Sequence, residues 1–312
     1  MARSSAYLRP DVLARIANLG LRARRVVEGA VTGMHRSPLH GQSVEFADYR
    51  EYAPGDDLKQ LDWRVFARSD RYYIKRFEEE SNLRCDILLD ASASMKYRGD
   101  RQAMSKFEYA ATIAAALATL LIKQRDAAGL ALFDASRRSH LRPASTQAQL
   151  LKIIDALESA KPDRDTEIGE VLRTSADQFR RRGMVVIISD LLTDLDALHD
   201  GLHRLNHQGQ ETILLHLLDP DELDLPFEGS VQFHALEGSG QMLAEPRFFR
   251  QAYRDAMQDF CRETERRARL AGIDYQLIRT DEDLGLALSH YLHVRQRMSQ
   301  RPASPGRAGG RT

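Results

Sequence analysis

The sequence predicts an α/β domain built on a doubly wound, mostly parallel sheet, and three observations predict it. From Arg84 onward, strand-like and helix-like segments alternate, the rhythm of parallel strands joined by crossover helices. The strand candidates are short unbroken apolar runs such as Met184-Val-Val-Ile-Ile-Ser, as expected of strands covered by helices on both faces. A length of 312 residues suffices for one large domain of this kind with a small added module.

The strand candidates are Arg84–Asp90, Gly129–Phe133, Met184–Asp190, Thr212–Leu218 and Ile273–Ile278. Between them, helical spacing of apolar residues predicts helices over Ser105–Gln124, Thr146–Ser159, Thr166–Arg181, Asp194–Asn206 and Pro246–Ala271. Arg137–Leu141 and Val231–Leu236 read as extra edge strands. The first 80 residues break the rhythm. Leu8, Val12, Leu13, Ile16 and Leu19 lie at helical spacing in an Arg-rich stretch from Leu8 to Val27. It reads as a helix docked on the body, with a transit-like or surface-seeking helix as the alternative. A polar and aromatic block from Glu45 to Arg76 follows, with Trp63 as the sole tryptophan and Tyr72–Phe77 as a strand. Within it, Pro54-Gly-Asp-Asp57 has turn chemistry and Asp57 can cap a short helix. The expected division is residues 1–80 as an amphipathic helix with a small β-rich module, 81–298 as the sheet domain, and 299–312 as a disordered Pro-, Gly- and Arg-rich tail.

Composition narrows the function. Acidic and basic residues balance at 45 each, so no global field favours nucleic acid or an anionic membrane. The basic residues are mostly Arg, with seven Lys; we read no phosphate-binding signal in that. Two cysteines, Cys85 and Cys261, are too few for a disulfide framework and suit a reducing cytosol. The longest uncharged stretch, Tyr109–Ile122, is shorter than the roughly 20 residues a bilayer helix needs. A cytoplasmic protein is expected, with a peripheral place at the inner membrane as the alternative.

The chemistry concentrates in Cys85-Asp-Ile-Leu-Leu-Asp-Ala-Ser-Ala-Ser-Met95. An apolar strand ends at Asp90, and Ser92 and Ser94 follow on the next loop. Small oxygen donors so spaced suit a hard divalent cation; they equally suit an ordinary strand-to-helix turn with Asp and Ser as caps. A second apolar strand ends at Asp190. In an open α/β sheet, ligands bind beyond the carboxyl ends of strands where strand order reverses. If the two strands are neighbours there, Asp90 and Asp190 converge, and a cation or a proton must offset their repulsion. Thr166 can add one more hydroxyl or cap its own helix.

Asp90-Ala-Ser-Ala-Ser94, Thr166 and Ile188-Ser-Asp190 resemble the metal-ion-dependent adhesion site of von Willebrand factor A domains. Upstream, Gly33–Ser37, Glu45–Arg50, Tyr52, Pro54–Asp57, Asp62-Trp63 and Ala67-Arg68 resemble the signature of bacterial domain-of-unknown-function family 58 (DUF58). The resemblance implies a von Willebrand factor A-like fold and binding rather than turnover. It implies Mg²⁺, or Mn²⁺ or Ca²⁺, held by Asp90, Ser92, Ser94, Thr166 and Asp190, with an open position for an acidic group of a protein client. It also implies a MoxR-type AAA+ ATPase as partner. The competing reading is a Mg²⁺-dependent phosphohydrolase with Asp90 as nucleophile; Ser92 stands where a second aspartate would serve as general acid, which weakens it.

Other patterns carry less. His199, His203 and His207 recur on one helix face without the further ligands a zinc site needs. Gly238-Ser-Gly240 reads as a turn, and Arg262–Arg269, interleaved with Glu263 and Glu265, as a mixed-charge helix face.

Overall fold

The structure is a computed structural model that describes residues 45–51, 72–78, 83–134, 137–164, 168–176, 183–285, 289–290 and 293. The chain divides into two compact units, one of residues 35–82 and one carrying everything described from Leu83 onward. In the first, β1 (Glu45–Glu51) and β2 (Tyr73–Glu78) pair antiparallel, with a register shift between Phe46 and Asp48. The amphipathic helix expected over Leu8–Val27, the short helix after Asp57 and the carboxyl-terminal tail lie outside the described residues.

The second unit is organised by a six-stranded sheet. Its strands are β3 (Arg84–Asp90), β4 (Ala127–Phe133), β5 (Arg137–Ala144), β6 (Met184–Ser189), β7 (Glu211–Leu218) and β10 (Asp274–Arg279), in the order β10-β7-β6-β3-β4-β5. All neighbours run parallel except the edge strand β5, which is antiparallel to β4. The chain winds one way from β3 to β5, then returns to lay β6 on the other side of β3. Strand order therefore reverses between β3 and β6.

The helices are α1 (Lys106–Lys123), α2 (Gln147–Ser159), α3 (Ile168–Ala176), α4 (Leu195–His207), the short α5 (Pro220–Asp224) and α6 (Arg250–Leu270). They make two layers. Cys85, Ile87 and Leu89 of β3 and Val186 and Ile188 of β6 pack with α1 and α2. The intervening Leu88, Val185 and Ile187 pack with Ile168, Leu198, Leu202 and Ala268 on α3, α4 and α6. Side chains alternate across a strand, so with both faces covered no position needs to be polar, and the strands read as unbroken apolar runs. Three of these helices are started by a side-chain cap: Ser105 and Glu108 exchange a capping box at α1, Thr146 caps α2, and Asp194 accepts from two amides at α4.

Two expectations are corrected. Val231–Leu236 is not an edge strand of the main sheet: β8 (Val231–His234) pairs only with β9 (Gln241–Ala244), in a separate antiparallel hairpin closed over Gly238 and Gly240. Gly238, at φ +71°, supplies the left-handed turn. The helix expected from Pro246 starts later, because Pro246–Phe248 forms a single 3₁₀ turn before α6.

Candidate metal centre

The carboxyl ends of β3 and β6, hydrogen-bonded neighbours in register from Cys85 opposite Met184 to Leu89 opposite Ile188, bring Asp90 and Asp190 to one crevice. Both are buried, as are Ser92 and Ser94. The loop after β3 is tightly built. Asp90 Oδ1 accepts from the Ser92 amide at 2.9 Å, and Asp90 Oδ2 accepts from the Ser189 hydroxyl at 2.6 Å. Ser92 Oγ and Ser94 Oγ lie 3.0 Å apart, and Ser94 also hydrogen-bonds Asp190. A single 3₁₀ turn, Ala93–Lys96, carries the chain onward.

Two further segments brace this loop. Arg164 forms a parallel bridge with Ser92, and its carbonyl accepts from the Ala93 amide at 2.7 Å. Its guanidinium lies 3.8 Å from the buried Asp134, just past β4. The segment leading toward Thr166 therefore runs beside the serine loop, while Thr166 itself lies outside the described residues. After β6, Leu191 adopts φ +55° and its amide donates to Ser189 Oγ at 3.0 Å. That left-handed turn is unusual for a branched residue. It leaves Leu191 buried and Leu192 exposed.

Sequence reasoning missed the group that answers the charge of Asp190. Lys106, in the first turn of α1, is completely buried. Its Nζ donates to Asp190 Oδ2 at 2.7 Å and to Glu222 Oε1 at 2.5 Å. Glu222 is placed by a second capping box: Asp219 accepts at the start of α5, and Glu222 Oε2 accepts from the Asp219 amide at 2.9 Å. Both had a readable signal. Asp219-Pro-Asp-Glu222 is a helix-start pattern, and a lysine in a helix's first turn stands against the helix dipole, which invites the question of what holds it there.

The electrostatics follow. Burial, then the charge of Asp190, pushes the Asp90 carboxyl up to about 7. At Asp190 burial works upward, but the Lys106 ammonium and the hydrogen bonds from Lys106 and Ser94 outweigh it and hold the group below its ordinary value. Burial opposes the charge on Lys106 too, yet Asp190 and Glu222 together keep its ammonium charged. At Glu222 burial wins over the nearby ammonium and the group is raised. His216 of β7 lies behind Asp190, its Nε2 2.9 Å from the Asp190 carbonyl and its Nδ1 2.8 Å from the Tyr275 hydroxyl. A carbonyl only accepts, so Nε2 carries the proton and Nδ1 accepts from Tyr275. Burial pushes this ring down to about 4, so it is neutral near neutrality.

The donor set suits a hard cation. In octahedral coordination with metal–oxygen bonds of about 2.1 Å, adjacent ligands lie about 3.0 Å apart, which is the separation of the two serine hydroxyls. Asp90 stands beside them. Asp190 is at the same place but is already engaged by Lys106. Among the described residues, no group of three or more His, Cys, Asp or Glu side chains is arranged to hold a metal, so a centre here rests on hydroxyls. The histidines on α4 do not form one: His203 and His207 are exposed and stack edge to face at 4.4 Å.

Beyond the crevice opens a cleft of about 750 Å³, lined in part by Ser94, Leu192, Phe233, Leu236 and Tyr253. Glu237, at the tip of the β8–β9 hairpin, reaches across to the site and accepts from the Ser94 amide at 3.2 Å. No local pattern announces this contact, because it spans 143 residues.

The family model described as "Protein of unknown function DUF58" matches residues 48–265. An uncharacterized protein of Mycobacterium tuberculosis is 26% identical over 226 residues, covering 71% of this chain and 70% of its own. Among solved structures, the conserved hypothetical protein BatB from Bacteroides thetaiotaomicron superposes with a TM-score of 0.47 at 17% identity, over 69% of this chain and 99% of its own. An aerotolerance-related membrane protein from Bacteroides fragilis gives 0.48 at 20% identity over the same shares. The match takes in part of the first unit, the donor loop and the strands from β3 to β7 of an α/β, mostly parallel sheet, and the chain belongs to the DUF58 family.

Proposed function

We propose that this protein is a non-enzymatic, metal-ion-dependent interaction module, an adaptor that presents an acidic protein client to a MoxR-type AAA+ ATPase during protein maturation or complex assembly. The observation that carries the reading is the meeting of Asp90, Ser92, Ser94 and Asp190 at the point where strand order reverses. Asp90, Ser92 and Ser94 would hold Mg²⁺, or Mn²⁺ or Ca²⁺, with Thr166 as a further hydroxyl. Such an ion supplies an electrophilic position that a carboxylate of the client can fill, because hydroxyl ligands leave its charge largely uncompensated. The protein's own part is to hold the hydroxyls apart at the right spacing, to keep Asp90 anchored by Ser189 and the Ser92 amide, and to offer the cleft beside Ser94 to the rest of the client. No helix among the described residues is long and apolar enough to cross a membrane, in keeping with an adaptor at work in the cytoplasm or at the membrane surface. The ATPase partnership rests on family resemblance.

Phosphohydrolysis is the weaker reading. Both oxygens of Asp90 already accept hydrogen bonds inside the protein, a poor preparation for in-line attack on phosphorus. Capture of the cognate ATPase by wild type and by Asp90→Ala, each in Mg²⁺ and in EDTA, tests the proposal. Capture by wild type in Mg²⁺ alone is expected. Capture indifferent to both changes removes the metal from the account.

A further inference from the structure

We propose that Lys106 is a resident cation of this site: it supplies at Asp190 part of the positive charge a divalent ion would bring, ties the end of β6 to α1 and α5 when no ion is bound, and sets how tightly an ion binds. This rests on the metal-site reading and adds a residue to it.

The geometry is specific. Lys106 is one of the largest fully buried side chains of the molecule. Its Nζ bridges Asp190 Oδ2 at 2.7 Å and Glu222 Oε1 at 2.5 Å. The other Asp190 oxygen accepts from the Leu192 amide at 3.3 Å, and Ser94 donates to the same carboxylate. Asp190 is thus satisfied from within the protein and offers an incoming ion little that is free. A divalent ion seated on Asp90, Ser92 and Ser94 would also stand close to a fixed ammonium and be repelled by it, with little water between to screen the two charges. Burying a lysine is costly unless both its charge and its hydrogen bonds are matched. Here α1 places it by its first turn, its own amide donating to the Tyr97 carbonyl at 2.9 Å, and α5 brings Glu222 to complete the pair. Three separate elements, α1, β6 and α5, converge on one ammonium. The expected result is a site that is assembled without metal and binds metal only moderately. Occupancy would then follow the local concentration of the ion or the arrival of a carboxylate ligand.

Mn²⁺ binding to the full chain, read from loss of the free-ion paramagnetic resonance signal, tests this. The proteins are wild type, Lys106→Met, Lys106→Gln and Asp90→Ala, with melting curves in EDTA and in saturating Mn²⁺. Removing the ammonium is expected to tighten Mn²⁺ binding by roughly tenfold or more. It should also lower the melting temperature in EDTA and make it respond to Mn²⁺ more strongly than in wild type. A purely structural salt bridge would lower the melting temperature without tightening the ion. Asp90-dependent Mn²⁺ binding that is equal or weaker in the Lys106 variants overturns the proposal and leaves the metal site standing. No Asp90-dependent binding in wild type or in either Lys106 variant overturns both. If the Lys106 variants do not fold in EDTA, their soluble yield on refolding decides: rescue by Mn²⁺ supports the proposal, and failure in both conditions overturns it.

Discussion

Asp90 carries a conflict that the rest of the site manages. It is fully buried beside a second carboxylate, and its pKa rises to about 7. In the unfolded chain the group titrates near its ordinary value of 3.8. Between these two values the folded state binds the proton and the unfolded state releases it, so this group's contribution to stability is complete below about pH 4 and lost as pH rises to about 7. Asparagine is neutral throughout. In EDTA, the melting temperature of Asp90→Asn relative to wild type should therefore climb from pH 4 to pH 7, by on the order of 5 °C, and level off above. A difference that stays flat or falls across that range would show that Asp90 is not the buried acid described here. The motif of Asp90 and the two serines was legible at this scale, since an apolar strand ending in Asp with serines at fixed offsets is visible in the sequence. Lys106 was not. Its role depends on a carboxylate 84 residues away and another 116 away, and no local pattern encodes such distances.

Among the elements, the pairing of α3 with α4 shows how close backbone approach decides a residue. Ideal Cβ atoms on Gly169 and Gly201 would lie 2.7 Å from the Cβ of Ala197 and of Leu172, respectively. Alanine at 201 gains about 1 kcal/mol of helix propensity, but it must push apart two packed helices, which costs about 1–3 kcal/mol. The clash should win. Gly201→Ala is expected to lower stability by about 1 kcal/mol in urea denaturation, against the direction propensity alone gives; a stabilised variant would mean that the helices can slide. Strand and helix identities from Arg84 onward were readable because both faces of the sheet are covered, so length and apolar continuity signalled parallel strands. The β8–β9 hairpin was harder to place. Its side chains are exposed or half-buried, and a four-residue strand with no buried face leaves nothing in its pattern to say which sheet it joins. The five-residue α5 was missed for lack of length, although its cap was written in the sequence.

For the sheet domain as a whole, stability is graded outward from the crevice. β3 and β6 lie inside the sheet with both faces packed, whereas the hairpin stands apart from it. Amide hydrogen exchange should divide accordingly. Amides of Ile87–Leu89 and Val186–Ile188 should exchange only through global unfolding, and those of Val231–Ala244 faster by on the order of a thousandfold. Equal protection would show that the hairpin is an integral part of the core. The order reversal between β3 and β6 makes neighbours of two distant aspartates; from the sequence that adjacency was a supposition, because no local pattern encodes strand order. Thr166 remains the donor whose place the sequence alone suggests.

The bridge between Ser92 and Arg164 makes the serine loop a short continuation of the sheet and not a free arm, so little ordering remains to be done when a ligand arrives. Association should then proceed in a single phase set by encounter. Shortening the stretch before Arg164 by one residue would unzip this seam and turn a ready receptor into a floppy one.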